Sequence, residues 1–163
     1  MARRNFGISA LLVGVLLFSV ACVKESADKQ KSGQQNSAMN SGIIDFIKLQ
    51  KLVKFPSTTI GQAFEAYRYA SRKEWSVTPQ PDRHIAVDFV AWFDPSTLSD
   101  SERKDGIVGK GLSVTFMINQ DNSFYVSAVS KIATRKDGKV DRSQMTDIAD
   151  ILSKIYANER VVI

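Results

Sequence analysis

The chain has 163 residues, 44% hydrophobic and 24% charged, with a formal net charge of +5. That supports one ordinary buried core, and the modest basic excess argues against a nucleic-acid-binding face, which shows as a concentrated basic patch. A single cysteine and a single histidine exclude an internal disulfide and a zinc site assembled from Cys and His.

Met1, Ala2, Arg3 and Arg4 precede an apolar run, Ile8 to Ala21, "ISALLVGVLLFSVA". Its 14 residues fit the core of a secretory signal, with positive charge before it and small residues at its end. A spanning helix needs about 20 apolar residues. A generous count from Phe6 to Val23 reaches 18, so a short uncleaved anchor is the alternative. The segment "SVAC" resembles the box that ends a bacterial lipoprotein signal, although Ser19 stands where leucine is usual. The resemblance implies a diacylglyceryl group on Cys22, acylation of its amine after cleavage, and a signal peptide spanning 1–21. Each buried methylene contributes about 0.8 kcal/mol, so two or three chains hold a protein on a membrane where one does not. The expected address is the cell envelope, lipid-anchored to a bacterial membrane. Val23 and Lys24 lack the aspartate that keeps some lipoproteins at an inner membrane, which favours the periplasmic side of an outer membrane.

Residues 22–42 follow as the lipidated cysteine and a polar tether. From Lys24 to Gly42 only Ala27, Ala38 and Met39 are apolar, too little to offset the entropy of ordering. Nineteen residues of such coil separate the domain from the lipid by roughly 25 Å. Loss of Arg3 and Arg4 with the signal leaves 20 basic against 17 acidic residues, a balance of +3.

Residues 43–163 read as a single α+β domain. "IIDFIKLQKLVKF" (43–55) mixes a helical face (Ile43, Phe46, Ile47, Val53) with strand-like alternation, and helix is the reading adopted. Pro56 ends it by disfavouring the helical region at Phe55. Thr59 and Gln62 form a capping box. Ile60, Ala63, Phe64, Tyr67 and Ala70 then recur at helical spacing. Gly61 sits in the first turn, where its use is close approach of a neighbouring backbone, and Trp75 seals the core edge near the helix end. Three strands follow. "HIAVDFVAWF" alternates Ile85, Val87, Phe89, Ala91 and Phe93 with Ala86, Asp88, Val90 and Trp92. "LSVTFMIN" sets Leu112, Val114, Phe116 and Ile118 on one face. "SFYVSAVSKIA" sets Phe124, Val126 and Ala128 opposite Tyr125, Ser127 and Val129, and "NQDNS" joins the last two as a hairpin. Between the first two strands lies a long charged loop, 94–110. The final helix carries Met145, Ile148, Leu152 and Ile155, with Asp141 and Gln144 as its cap and Asn158 at its end. Strands between helices, without regular βαβ alternation, predict an antiparallel sheet of three to four strands packed against two or three helices.

The chemistry is sparse. His84 has no second histidine and no nucleophile elbow. "KDGKVD" has Lys139 and Arg142 where a calcium loop needs oxygen ligands. No phosphate-binding glycine loop occurs, and Asp88 is one carboxylate without a partner. No catalytic residue, metal site or cofactor is expected. Trp92 and Val90 share the strand face opposite the apolar set. With that face wet they form a candidate interaction surface; the alternative is that helix or loop covers them.

Pro56, Thr59, Ile60, Gly61, Ala63, Phe64, Trp75, Val87 and Phe89 together are similar to a group of small uncharacterised bacterial envelope proteins and lipoproteins. That group shares a Pro-x-x-Thr-Ile-Gly-x-Ala-Phe helix, a tryptophan about ten residues on, and a Val-x-Phe strand. The likeness spans about 110 residues. A looser likeness of layout is to SmpA/BamE-like lipoproteins and β-lactamase-inhibitor-protein-like domains, and it implies an α+β sheet without catalytic residues. The expected function is a membrane-anchored, non-enzymatic module that binds a protein or other envelope component, with no nucleic-acid partner. A small extracytoplasmic hydrolase using His84, or a small-ligand-binding lipoprotein, is the alternative.

Overall fold

Runs of alternating apolar residues need a partner layer, and the short helical segments supply it. The structure, a computed structural model, describes residues 37–163; the signal segment 1–21, Cys22 and the tether as far as residue 36 lie outside the described residues. In chain order the elements are α1 (37–49), α2 (Ile60–Ala66), β1 (Arg72–Pro79), β2 (Ile85–Trp92), a 3-10 turn (Pro95–Thr97), α3 (Asp100–Lys104), β3 (Ile107–Ile118), β4 (Phe124–Arg135), β5 (Val140–Gln144) and α4 (Ile148–Tyr156). The strands form one antiparallel sheet in the order β1-β2-β3-β4-β5, each joined to the next. The fold is therefore α+β, with five strands where the sequence suggested three to four. Among the described residues no helix is long and apolar enough to cross a membrane.

Both extra strands are edges, and edges carry weak patterns. In β1 only Trp75 and Val77 are apolar residues packed on the core, with charges before them and Pro79 at the end. In β5 all five residues are exposed, so Asp141 and Gln144 sit in a strand and do not cap the last helix. That helix starts at Ile148 behind Asp147, leaving Met145 ahead of it. Residues 43–49 are helical as read, but the helix also takes in 37–42, which the sequence had placed in the tether. It stops before Val53, which is fully exposed.

Helix α2 begins as its capping box dictates: Thr59 Oγ1 accepts the Gln62 N–H at 3.2 Å and Gln62 Oε1 accepts the Thr59 N–H at 3.0 Å. It ends earlier than its spacing suggested. Tyr67 turns to an extended conformation (ψ 101°), and its hydroxyl, buried beneath Val161, accepts that residue's N–H at 3.1 Å. Desolvation raises the Tyr67 pKa. Trp75 consequently lies on β1, not at a helix end, and still closes the core margin.

The core is an aromatic cluster. The Phe64 ring stands edge-on to Phe89 with centroids 4.8 Å apart and lies 5.6 Å from Phe116 and 6.0 Å from Trp75. Val87, Leu112, Val114, Val129, Ile47 and Ile155 complete it. Fully burying each large apolar side chain contributes about 1.5–3 kcal/mol. Gly61 admits α1 at close range, since a Cβ there would lie 2.9 Å from both the Cβ and the carbonyl oxygen of Lys48. The same Lys48 pairs with Glu65 at 2.8 Å, and Trp75 Nε1–H donates to that carboxylate at 2.9 Å.

One facing prediction reverses, for a local reason. The register of β3 with β4 slips between Thr115↔Ala128 and Phe116↔Val126, leaving Ser127 as an extra residue. A bulge flips the alternation, so Val129 joins Phe124 and Val126 on the core side, while Ala128 moves to the other face.

Candidate functional site

Trp92 ends β2 on the face opposite the aromatic core. Its cross-strand partners are Arg72 and Gly111. The absent side chain of Gly111 leaves a seat for the indole: a Cβ there would come within 3.2 Å of Trp92 Cε3. The indole N–H donates to Glu74 Oε2 at 3.1 Å. Glu74 Oε1 in turn accepts Arg72 Nε–H at 3.0 Å, and the guanidinium lies 5.3 Å from the ring centroid. Three contacts thus hold one ring in one orientation and leave it half-buried.

Val90 does not join it as an exposed surface. It is 8% exposed, set between Glu74 and Ser113 of the flanking strands. Ser113 is itself buried, and its hydroxyl accepts from Arg142 Nη1 at 3.3 Å. Next along the same face, Thr115 Oγ1 hydrogen-bonds the Asp88 carboxylate. Small residues are recessed here while longer polar side chains bond to one another across them, so the expected Val90–Trp92 apolar pair reduces to Trp92.

The 94–110 segment is folded, not an open loop. Asp94 Oδ1 accepts the Ser96 N–H at 2.8 Å and starts the 3-10 turn. Ser99 and Glu102 form a second capping box that starts α3. Gly106, at φ +79°, turns the chain into β3. Arg103 Nη2 donates to the Pro95 carbonyl at 3.1 Å, Leu98 is buried, and Lys110 Nζ bonds both Glu102 oxygens at 3.2 Å. Hydrogen bonds from Ser96 and Ser99 lower the carboxyl pKa of Asp94 and of Glu102 respectively.

This folded flap brings Pro95, Val108 and Gly109 beside Trp92 and Arg72, with Thr134 of β4 behind them, around an open cleft of about 380 Å³. Val108 is 44% exposed. The cleft offers a fixed aromatic ring, two further apolar contacts, a cation and a hydroxyl, a set suited to recognition. Strand alternation singled out Trp92, and length and charge marked the 94–110 segment, each separately. Neither singled out Val108 or Pro95, whose only advance signal was being uncharged within a charged stretch.

His84 lies at the opposite end of β2. Its Nδ1 meets Asp82 Oδ2 at 2.7 Å in the β1–β2 turn, both side chains substantially exposed, and that bond lowers the Asp82 pKa. Among the described residues no group of three His, Cys, Asp or Glu side chains is placed to hold a metal. No protein-family model, curated protein or solved structure matches the chain.

Proposed function

We propose that the protein is a lipid-anchored cell-envelope module. In this reading Cys22 ties it to a bacterial membrane, and the Trp92 cleft binds a protein or other envelope component without catalysing a reaction. The observation that carries the binding reading is the locked indole beside an exposed apolar shelf. Trp and Arg dominate the energetics of interfaces, and a ring already fixed by Gly111, Glu74 and Arg72 loses little further freedom on binding. The lipoprotein-like "SVAC" box and the Pro-x-x-Thr-Ile-Gly-x-Ala-Phe likeness support the address. The separation of His84 from the cleft supports a non-enzymatic role.

The test is a photo-crosslinking residue at position 108 in cells, followed by recovery of the covalent adduct from the intact envelope. A discrete adduct is expected, lost in Trp92→Ser and retained in His84→Ala. An adduct that survives Trp92→Ser in a protein with unchanged thermal unfolding removes the cleft from the mechanism. Labelling with a clickable palmitate analogue, abolished by Cys22→Ser, checks the anchor.

A further inference from the structure

Three of the large apolar side chains exposed among the described residues fall in one stretch of 15 residues, 39–53: Met39 and Leu49 on α1, at 59% and 74% exposure, and Val53, fully exposed, just after it. We infer that this side of α1 and the turn behind it rest on the bilayer that holds Cys22. Leu49 and Val53 enter the boundary between headgroups and acyl chains, and Lys51 and Lys54 meet the phosphates of anionic lipid. The inference rests on the anchor proposed above and adds a second, non-covalent membrane contact to it.

The core side of α1 does not account for its exposed side. Ile47 is fully buried, while Leu49, two residues on and so about 200° around the helix, stands away from the core. The following turn is fixed by the body of the protein. The Phe55 N–H donates to the Leu52 carbonyl at 2.8 Å, which puts Val53 and Lys54 at the corners. The Ile60 N–H donates to the Gln50 carbonyl at 2.8 Å, and the Phe55 ring stacks on Tyr156 of α4 with centroids 4.0 Å apart. A rigid frame therefore holds Val53 out in water, and apolar groups so held gain by moving into a lipid boundary.

Charge selects the surface. Lys51 and Lys54 are exposed and flank Val53. Lys54 bonds a neutral hydroxyl, Ser153 Oγ, at 3.1 Å, and neither lysine is ion-paired among the described residues. Asp150, on the helix that carries Ser153, is paired with Lys154, and Glu65 with Lys48. Asp45, exposed one turn before Leu49, is the opposing charge on α1, and the two lysines outnumber it. Apolar side chains interleaved with lysines suit an anionic interface, where the ammonium heads reach phosphate. Two such side chains are too few to hold an untethered protein. Here the encounter is intramolecular. The 14 residues between Cys22 and α1 reach at most about 50 Å, a linkage that gives an effective concentration in the millimolar range. Trp92 lies on the sheet face opposite the helices, so this contact turns its cleft away from the bilayer.

The experiment uses the full lipidated chain in mixed phosphatidylcholine–phosphatidylglycerol vesicles. It carries an aryl-diazirine amino acid at position 53 or, for comparison, at position 125, which is 50% exposed on the other sheet face. Flotation with the vesicles reads the anchor; mass mapping of adducts after irradiation reads the contact. A phospholipid adduct is expected at position 53 and not at 125. Lys51→Gln, which removes no ion pair among the described residues, lowers the yield at 53 about fivefold, as loss of one lysine at an anionic surface implies. In phosphatidylcholine alone Lys51→Gln has no effect. Trp92→Ser leaves the yield intact, which separates this contact from the partner cleft. Protein that floats but gives equal lipid adducts at 53 and 125, a yield indifferent to Lys51→Gln in the mixed vesicles, or an adduct at 53 to a second copy of the chain overturns the inference and leaves the anchor standing. Protein that does not float removes the anchor and this contact together.

Discussion

The middle of β2 and the residue just past its end show what a covering layer does to a strand. At Phe89 the ring meets Phe64 at 4.8 Å and Trp75 at 4.9 Å and has no exposed surface. Four residues on, Phe93 carries the same side chain on the same face and lines two open clefts. Length accounts for the difference. Helices α1, α2 and α4, with 13, 7 and 9 residues, span only about 20, 10 and 13 Å. Strands β3 and β4, with 12 residues each, run about 40 Å. Short helices close one part of the sheet, and the remainder is lined by the flap and residues 160–163. Open space lies where the helical layer runs out, so the closed and the open parts of the molecule are separate stretches of the same strands.

The largest effect expected from breaking that division is in the closed part. Phe64→Ala removes the ring at the centre of the aromatic cluster and should cost about 3–5 kcal/mol, read as a fall in the denaturant midpoint. A loss under about 1 kcal/mol would mean that the cluster is not the source of stability.

Two glycines sharpen the comparison. Gly61→Ala drives a methyl into the Lys48 backbone and should destabilise by about 1–3 kcal/mol through separation of α1 from α2. Gly109→Ala, beside the Trp92 cleft, meets nothing nearer than Thr134 Cβ at 4.0 Å and should stay within about 0.5 kcal/mol of the parent. Thermal unfolding of the pair decides; equal losses would contradict a packed part beside an open one.

The smallest effect concerns acid. Glu65 has its pKa lowered, first by the hydrogen bond from Lys48, against the opposing effect of burial. A depressed folded pKa stabilises at neutral pH and is lost as pH falls from the ordinary glutamate value, about 4.3, through the lower folded value. The side chain is 47% exposed, so solvent screening holds the contribution well under about 1 kcal/mol. Glu65→Gln should flatten that part of the stability–pH curve and leave neutral-pH stability nearly unchanged, measured by urea unfolding across pH 2.5–6, roughly the window this shift implies.

Much of the closed part was readable in advance. The Thr59–Gln62 box, the Phe64 stripe, the close approach at Gly61 and the three long strands each depend on residues near one another in sequence. Less was readable at the edges. Trp75 looked like the end of a helix because two core contacts on an edge strand make no clear period-two pattern. Val129 looked outward because a one-residue bulge at Ser127 leaves no composition signature. For the candidate site, periodicity marked Trp92 but not its seat on Gly111, its neighbours Val108 and Pro95, or the burial of Val90.

The sequence by itself determined a basic, single-cysteine chain with a signal-like start and one α+β domain, because composition, capping and hydrophobic period act over a few residues. The tertiary structure alone decided which apolar residues remain open and that Phe93 lines two clefts. Those depend on how far short helices reach along long strands, a distance that no local pattern encodes.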